Sequence, residues 1–92
     1  MSLNRCEEAL LNYLEDHPDE KRFWTSRVLE LDGVGGTREG LASTLDQELR
    51  AYAAERDRLA PPDHQRFGGG SVSMRNLAEL LFLTWTPPSG RR

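Results

Sequence analysis

Residues 71–86 read SVSMRNLAELLFLTWT, the most apolar run of the 92-residue chain, and their reading decides the fold. Val72, Met74, Leu77, Ala78, Leu80, Leu81, Phe82, Leu83 and Trp85 place nine apolar side chains in a segment free of Gly and Pro. At about 100° per residue, Met74, Leu77, Ala78, Leu80, Leu81 and Trp85 share one broad face. Phe82 and Leu83 fall outside it, among Arg75, Asn76 and Glu79. A buried strand is the competing assignment. The length, the Ala-Glu-Leu-Leu composition and the serines at its start favour helix. A helix apolar nearly all round is either a central core helix or one whose second face meets a partner.

Upstream lies APPDHQRFGGG, residues 60–70, a connection longer than helical bundles usually carry. It is preceded by the longest helix, expected over about residues 38–59, with Thr37 as N-cap and Pro61-Pro62 as terminator. Leu41, Leu45, Leu49, Tyr52 and Leu59 form its seam, with Glu48 and Arg56 beside Tyr52. Asp46, Arg50, Asp57 and Arg58 fall on its solvent side. Asp32-Gly33-Val34-Gly35-Gly36 closes the helix before it, whose inward face is Phe23, Trp24, Val28 and Leu31. Arg27 lies between Phe23 and Trp24 in angle, so its stem packs and its head reaches outward. Pro18 suits the first position of that helix, and Asp19 and Glu20 complement its dipole.

The first helix starts at Asn4, with Glu7 as the reciprocal partner of a capping box, and stops at His17-Pro18. Cys6, Leu10, Tyr13, Leu14 and His17 make its stripe, and Glu7, Glu8, Asn12 and Glu15 lie largely outside it. The expected fold is an all-α, four-helix domain over residues 1–86, its long Pro/Gly-rich loop preceding a central C-terminal helix. Residues 87–92 are expected to be a flexible tail. Leu10, Leu14, Trp24, Leu45, Leu49, Tyr52, Leu77, Leu81 and Trp85 are expected to share one core.

Composition narrows the function classes. Mean hydropathy is -0.66 with 29% charged residues, and no run approaches the roughly 18 apolar residues of a membrane span. The N-terminus lacks the basic end and continuous apolar stretch of a signal peptide. Cys6, the only cysteine, has no intramolecular partner. The expected compartment is the cytoplasm. Net charge is -3, distributed unevenly: residues 1–46 carry five basic and ten acidic side chains, residues 47–92 seven and five. Solvated helix faces account for this. An orienting role in antiparallel self-association is the sharper alternative.

Few residues fall in patterns that carry chemistry. Gly68, Gly69 and Gly70 run into Ser71, Ser73 and Arg75, a loop-to-helix junction whose N–H groups could cradle an anion. The P-loop lysine and its preceding strand are missing, which leaves a linker and serine cap as the simpler reading. His17, His64 and Cys6 lack metal-ligand spacing, and Glu15, Asp16, Asp19 and Glu20 miss the EF-hand pattern. No nucleophile and base are paired. Glu48, Tyr52 and Arg56 form a polar line better read as a helix-edge ion pair than a site. SVSMRNLAELL resembles the opening helix of many helix-turn-helix proteins over about ten residues. That resemblance implies a short turn and a basic second helix next, and FLTWTPPSGRR supplies neither.

The expectation is therefore a non-enzymatic helical protein, without cofactor or metal, acting through protein–protein contact and self-associating as a homodimer. Phe82 and Leu83 are its expected interface. The alternative is an anion- or nucleic-acid-binding module built on Gly69, Gly70, Ser71, Ser73, Arg75 and the C-terminal arginines Arg91 and Arg92. Net acidity disfavours nucleic acid.

Overall fold

The computed structural model describes residues 3–86, and the expected C-terminal tail lies outside them. Four α-helices occur among these residues, and no strand: α1 (Arg5–Asp16), α2 (Pro18–Val34), α3 (Arg38–Leu59) and α4 (Arg75–Thr84). Two single 3-10 turns, Pro62–His64 and Gly68–Gly70, punctuate the long connection. The helix starts follow local chemistry. Asn4 and Glu7 form the full capping box of α1, with Glu7 N donating to Asn4 Oδ1 and Asn4 N to Glu7 Oε1, each at 2.8 Å. Pro18 opens α2. Thr37 Oγ1 accepts from Gly40 N at 3.0 Å to cap α3.

The last helix departs from expectation at its start. It begins at Arg75, and neither Ser71 nor Ser73 takes the N-cap position, which falls to Met74. Two N–H groups at its start are met from elsewhere in the fold. Met74 N donates to Asp46 Oδ1 at 2.7 Å, and Leu77 N donates to Glu7 Oε2 at 2.8 Å. Glu7, expected off the stripe of α1, is fully buried, because one carboxylate serves the capping box of α1 and the N-terminus of α4 together. Asn4 Nδ2 also donates to Ser73 O at 3.0 Å, so α1 and α4 are stitched at one end.

One core unites the four helices. Leu10 and Leu14 of α1 meet Trp24, Val28 and Leu31 of α2, Ala42, Leu45, Leu49 and Ala53 of α3, and Leu77, Ala78, Leu81 and Phe82 of α4. Met74 and Phe67, from the connection, complete it. Tyr52 and Trp85 are only partly buried against this cluster. Leu59, expected in the seam of α3, is 66% exposed, and Phe23, expected on the inward face of α2, is 60% exposed. In α4 the buried stripe is rotated toward Phe82 and away from Leu80, which is half-buried. Enclosing the larger aromatic ring removes more apolar area from water. The Arg38 guanidinium covers that ring, 5.6 Å from its centroid.

Candidate functional site

The glycine loop is the first place where the sequence points to a ligand, and the fold supplies an internal one. Asp57, expected to be solvated, is only 6% exposed. Its carboxylate accepts from Phe67 N, 3.2 Å from each oxygen, and from Gly69 N at 2.7 Å. The loop is thus a nest of N–H groups around a negative charge, and the charge belongs to α3. Glycine is needed here for two reasons. Gly68, Gly69 and Gly70 all have positive φ, at 80°, 60° and 90°. A Cβ on Gly70 would sit 3.0 Å from Ala54 Cβ, where the loop lies against α3.

Ser71, Ser73 and Arg75 also make contacts within the chain. Ser71 N and Oγ both donate to Gly68 O, at 3.0 and 2.8 Å. Ser73 Oγ accepts from Arg75 N at 3.2 Å, and Arg75 Nε faces Glu79 Oε2 at 3.3 Å. The polar groups of this junction thus go to separate internal partners: Gly69 N to Asp57, Ser71 to Gly68 O, and the Arg75 side chain to Glu79.

The expected interface pair is divided. Phe82 is enclosed at 1% exposure, while Leu83 stands out at 57%. Exposed apolar surface is instead concentrated on α2, where Phe23, Leu29 and Val34 are 60%, 42% and 77% exposed. This helix buries Trp24, Val28 and Leu31 on one side. Arg22, Ser26 and Gly33 lie roughly opposite, with Leu29 on one flank and Phe23 and Glu30 on the other, and all are exposed. Phe23, Ser26, Arg27, Leu29 and Glu30 border a shallow groove of about 450 Å³. Arg27 is held at its edge by Glu30 Oε1 at 2.8 Å and by a two-point contact with Glu48. These bonds raise its pKa above the ordinary arginine value and tie α2 to α3. The signal for this face was present in the sequence: Phe23 and Leu29 sit three residues either side of Ser26.

A second constellation gathers where the ends of α1 and α3 meet the long connection. The rings of Tyr13 and His17 stack at 4.0 Å, and Tyr13 meets Phe67 edge-on at 5.7 Å. His17 Nδ1 lies 2.7 Å from the Tyr13 carbonyl, which can only accept, so the proton sits on Nδ1. Tyr52 OH donates to Glu20 Oε1 at 2.6 Å. Burial, and then that bond, push its pKa well above the usual phenol value. Glu48, Tyr52 and Arg56 do not form one ion-pair line. Glu48 goes to Arg27, Tyr52 to Glu20, and Arg56 donates to Tyr13 OH at 3.5 Å with its guanidinium 5.5 Å from the Tyr52 ring centre. Arg56 Nε is enclosed without a hydrogen-bond partner among the described residues. Tyr13, Arg56, Leu59, Ala60, Arg66 and Phe67 line a cavity of about 300 Å³.

Among the described residues no three His, Cys, Asp or Glu side chains converge as a metal-ligand set, and no helix is long and apolar enough to cross a membrane. No protein-family model, no curated protein and no solved structure matches this chain.

Proposed function

We propose that the protein is a non-enzymatic helical module acting through protein–protein contact, with a second copy of itself docked on the outer face of α2. The observation that carries this reading is the self-complementary order of that face. In an antiparallel pair related by a two-fold axis at Ser26, Phe23 of one copy lies opposite Leu29 of the other, and Arg22 opposite Glu30. Asp19 then lies opposite Gly33. Ser26 at the crossing and Gly33 about two turns outward add little bulk to the seam. The Arg22 head is available, since its contact to Asp19 is long, 3.7 Å, between side chains 78% and 93% exposed. The free and partly buried Cys6 suits the reducing cytoplasm as the compartment.

Burying what remains exposed of Phe23 and Leu29 contributes about 3–6 kcal/mol per dimer. Because association itself costs at least about 4 kcal/mol, a gain of that size supports only a weak, concentration-dependent dimer. Sedimentation velocity from about 0.02 to 2 mM tests it. Wild type should shift from monomer to dimer, and Phe23→Ser with Leu29→Ser should remain monomeric while keeping its helical circular dichroism. Arg22→Glu and Glu30→Arg should each weaken the dimer, and an equimolar mixture of the two variants should restore it. A wild type that stays monomeric at the highest concentration, or a mixture no tighter than its components, refutes the proposal.

A further inference from the structure

We infer that the cavity between the ends of α1 and α3 and the 60–67 connection binds a small monocarboxylate carrying an apolar body. The starting point is a charge without a direct ion pair. Arg27, Arg50 and Arg75, like Arg56 only partly exposed, each face a carboxylate: Glu48 and Glu30, Asp46, and Glu79. Arg56 makes no such ion pair among the described residues; the Glu20 carboxylate, hydrogen-bonded to Tyr52 OH, acts on it only at longer range. Its contacts are the Tyr13 hydroxyl at 3.5 Å, at the outer limit of a hydrogen bond, and the face of the Tyr52 ring. A partly desolvated guanidinium without a direct ion pair favours an anion placed against it in the cavity that it lines.

The surroundings define the chemistry of that anion. Asp57 and Glu20 are already committed, Asp57 to Phe67 N and Gly69 N and Glu20 to Tyr52 OH, while Glu55, next to Arg56 in sequence, is exposed on α3. No acidic side chain lines the 300 Å³ cavity, while Arg66 supplies a second positive charge at its rim. Asp16 lies farther along, in an adjoining hollow of about 180 Å³ that shares Tyr13, Arg66 and Phe67. The remaining walls are apolar or aromatic. Leu59, otherwise an unexplained exposed leucine, is one of them, and the buried Phe67 ring is another. One inward arginine and one rim arginine match a single negative charge, and the volume sits at the small end of ligand sites. A nucleoside triphosphate exceeds both.

The probe is benzoate, followed at constant ionic strength by nitrogen–proton NMR of the full chain, including the arginine Nε–H signals. Benzoate should give saturable shifts at Arg56 Nε–H and at the amides of Leu59 and Phe67, with Kd below about 10 mM. Benzamide, acetate and inorganic phosphate should each bind at least about tenfold more weakly, since each lacks either the charge or the apolar body. Arg56→Gln should weaken benzoate by about tenfold or more, Arg56→Lys and Arg66→Gln by less, and Arg58→Gln, on the exposed side of α3, not at all. If Arg56→Gln fails to fold, the Arg56→Lys and Arg66→Gln titrations and the wild-type Nε–H shift still decide the matter. Equal binding of benzamide, equal binding of phosphate, unchanged affinity in the Arg56 variants, or no saturable shift in wild type each overturns the inference.

Discussion

Replacing Glu7 with Ala tests whether one buried carboxylate joins the two chain ends of the fold. Glu7 is fully buried and holds two backbone donors, Asn4 N and Leu77 N, each at 2.8 Å. Loss of the reciprocal half of the capping box costs about 0.5–2 kcal/mol. Leaving Leu77 N, which is buried, without an acceptor costs about 1–3 kcal/mol more. Recovering the desolvation cost of the carboxylate offsets part of this, which leaves a net loss of about 2–4 kcal/mol. A domain of this size has about 5–15 kcal/mol in total, and each kcal/mol moves its melting temperature by roughly 4–8 °C. The expected drop is therefore about 10–25 °C by differential scanning calorimetry. Glu7→Gln keeps one acceptor oxygen but turns an NH₂ toward a donor, and should fall between wild type and Ala. Glu8→Ala is the control, an exposed glutamate in the same helical turn, expected within about 0.5 kcal/mol of wild type. Melting of Glu7→Ala indistinguishable from Glu8→Ala would refute the reasoning, because the bridge between α1 and α4 would then carry no stability.

Two other perturbations follow from the same contacts. Gly68→Ala forces a Cβ to within 2.5 Å of Val72 Cγ2 at a φ of +80°, so it should destabilise by more than about 1 kcal/mol, while Gly33→Ala, in open space in the last turn of α2, should be neutral or stabilise by up to about 1 kcal/mol; urea midpoints at low protein concentration compare them. Tyr52, raised in the folded state from its ordinary value of 10.0, binds its proton more tightly folded than unfolded, so its contribution is intact below about pH 10 and declines as the pH rises beyond that. Urea melts above pH 10 should show a steeper loss of stability in wild type than in Tyr52→Phe, and equal slopes would contradict the assignment.

The helix count and the starts of α1, α2 and α3 were legible in the sequence because they depend on residues within one turn of each other. By contrast, α2 runs on through Asp32 and Gly33 to Val34, past its expected end at about residue 31, and the start of α4 is met by Asp46 and Glu7 from other helices. The Asn4–Glu7 box, Pro18 at the first turn of α2 and Thr37 before α3 each satisfy backbone groups three or four positions away, and all three occur where the pattern placed them. What the polar residues inside the helices do was a tertiary decision. Glu7 finds Leu77 N across 70 positions, Asp46 finds Met74 N across 28, and Asp57 finds Gly69 N across 12. A periodicity count assigns all three to solvent, since it contains no information about orphan N–H groups arriving from another element. The same limit applies to apolar positions at the edge of a stripe. Phe82 goes inward under Arg38 and Phe23 outward on α2, although each lies beside a core residue in its own helix. Which edge is buried depends on where the neighbouring helix axis passes, a geometry set by the whole packed core. The outer face of α2 and the cavity beside Arg56 both arise from that packing: the first is what four helices leave uncovered, and the second is lined by a partly buried cation that makes no direct ion pair among the described residues.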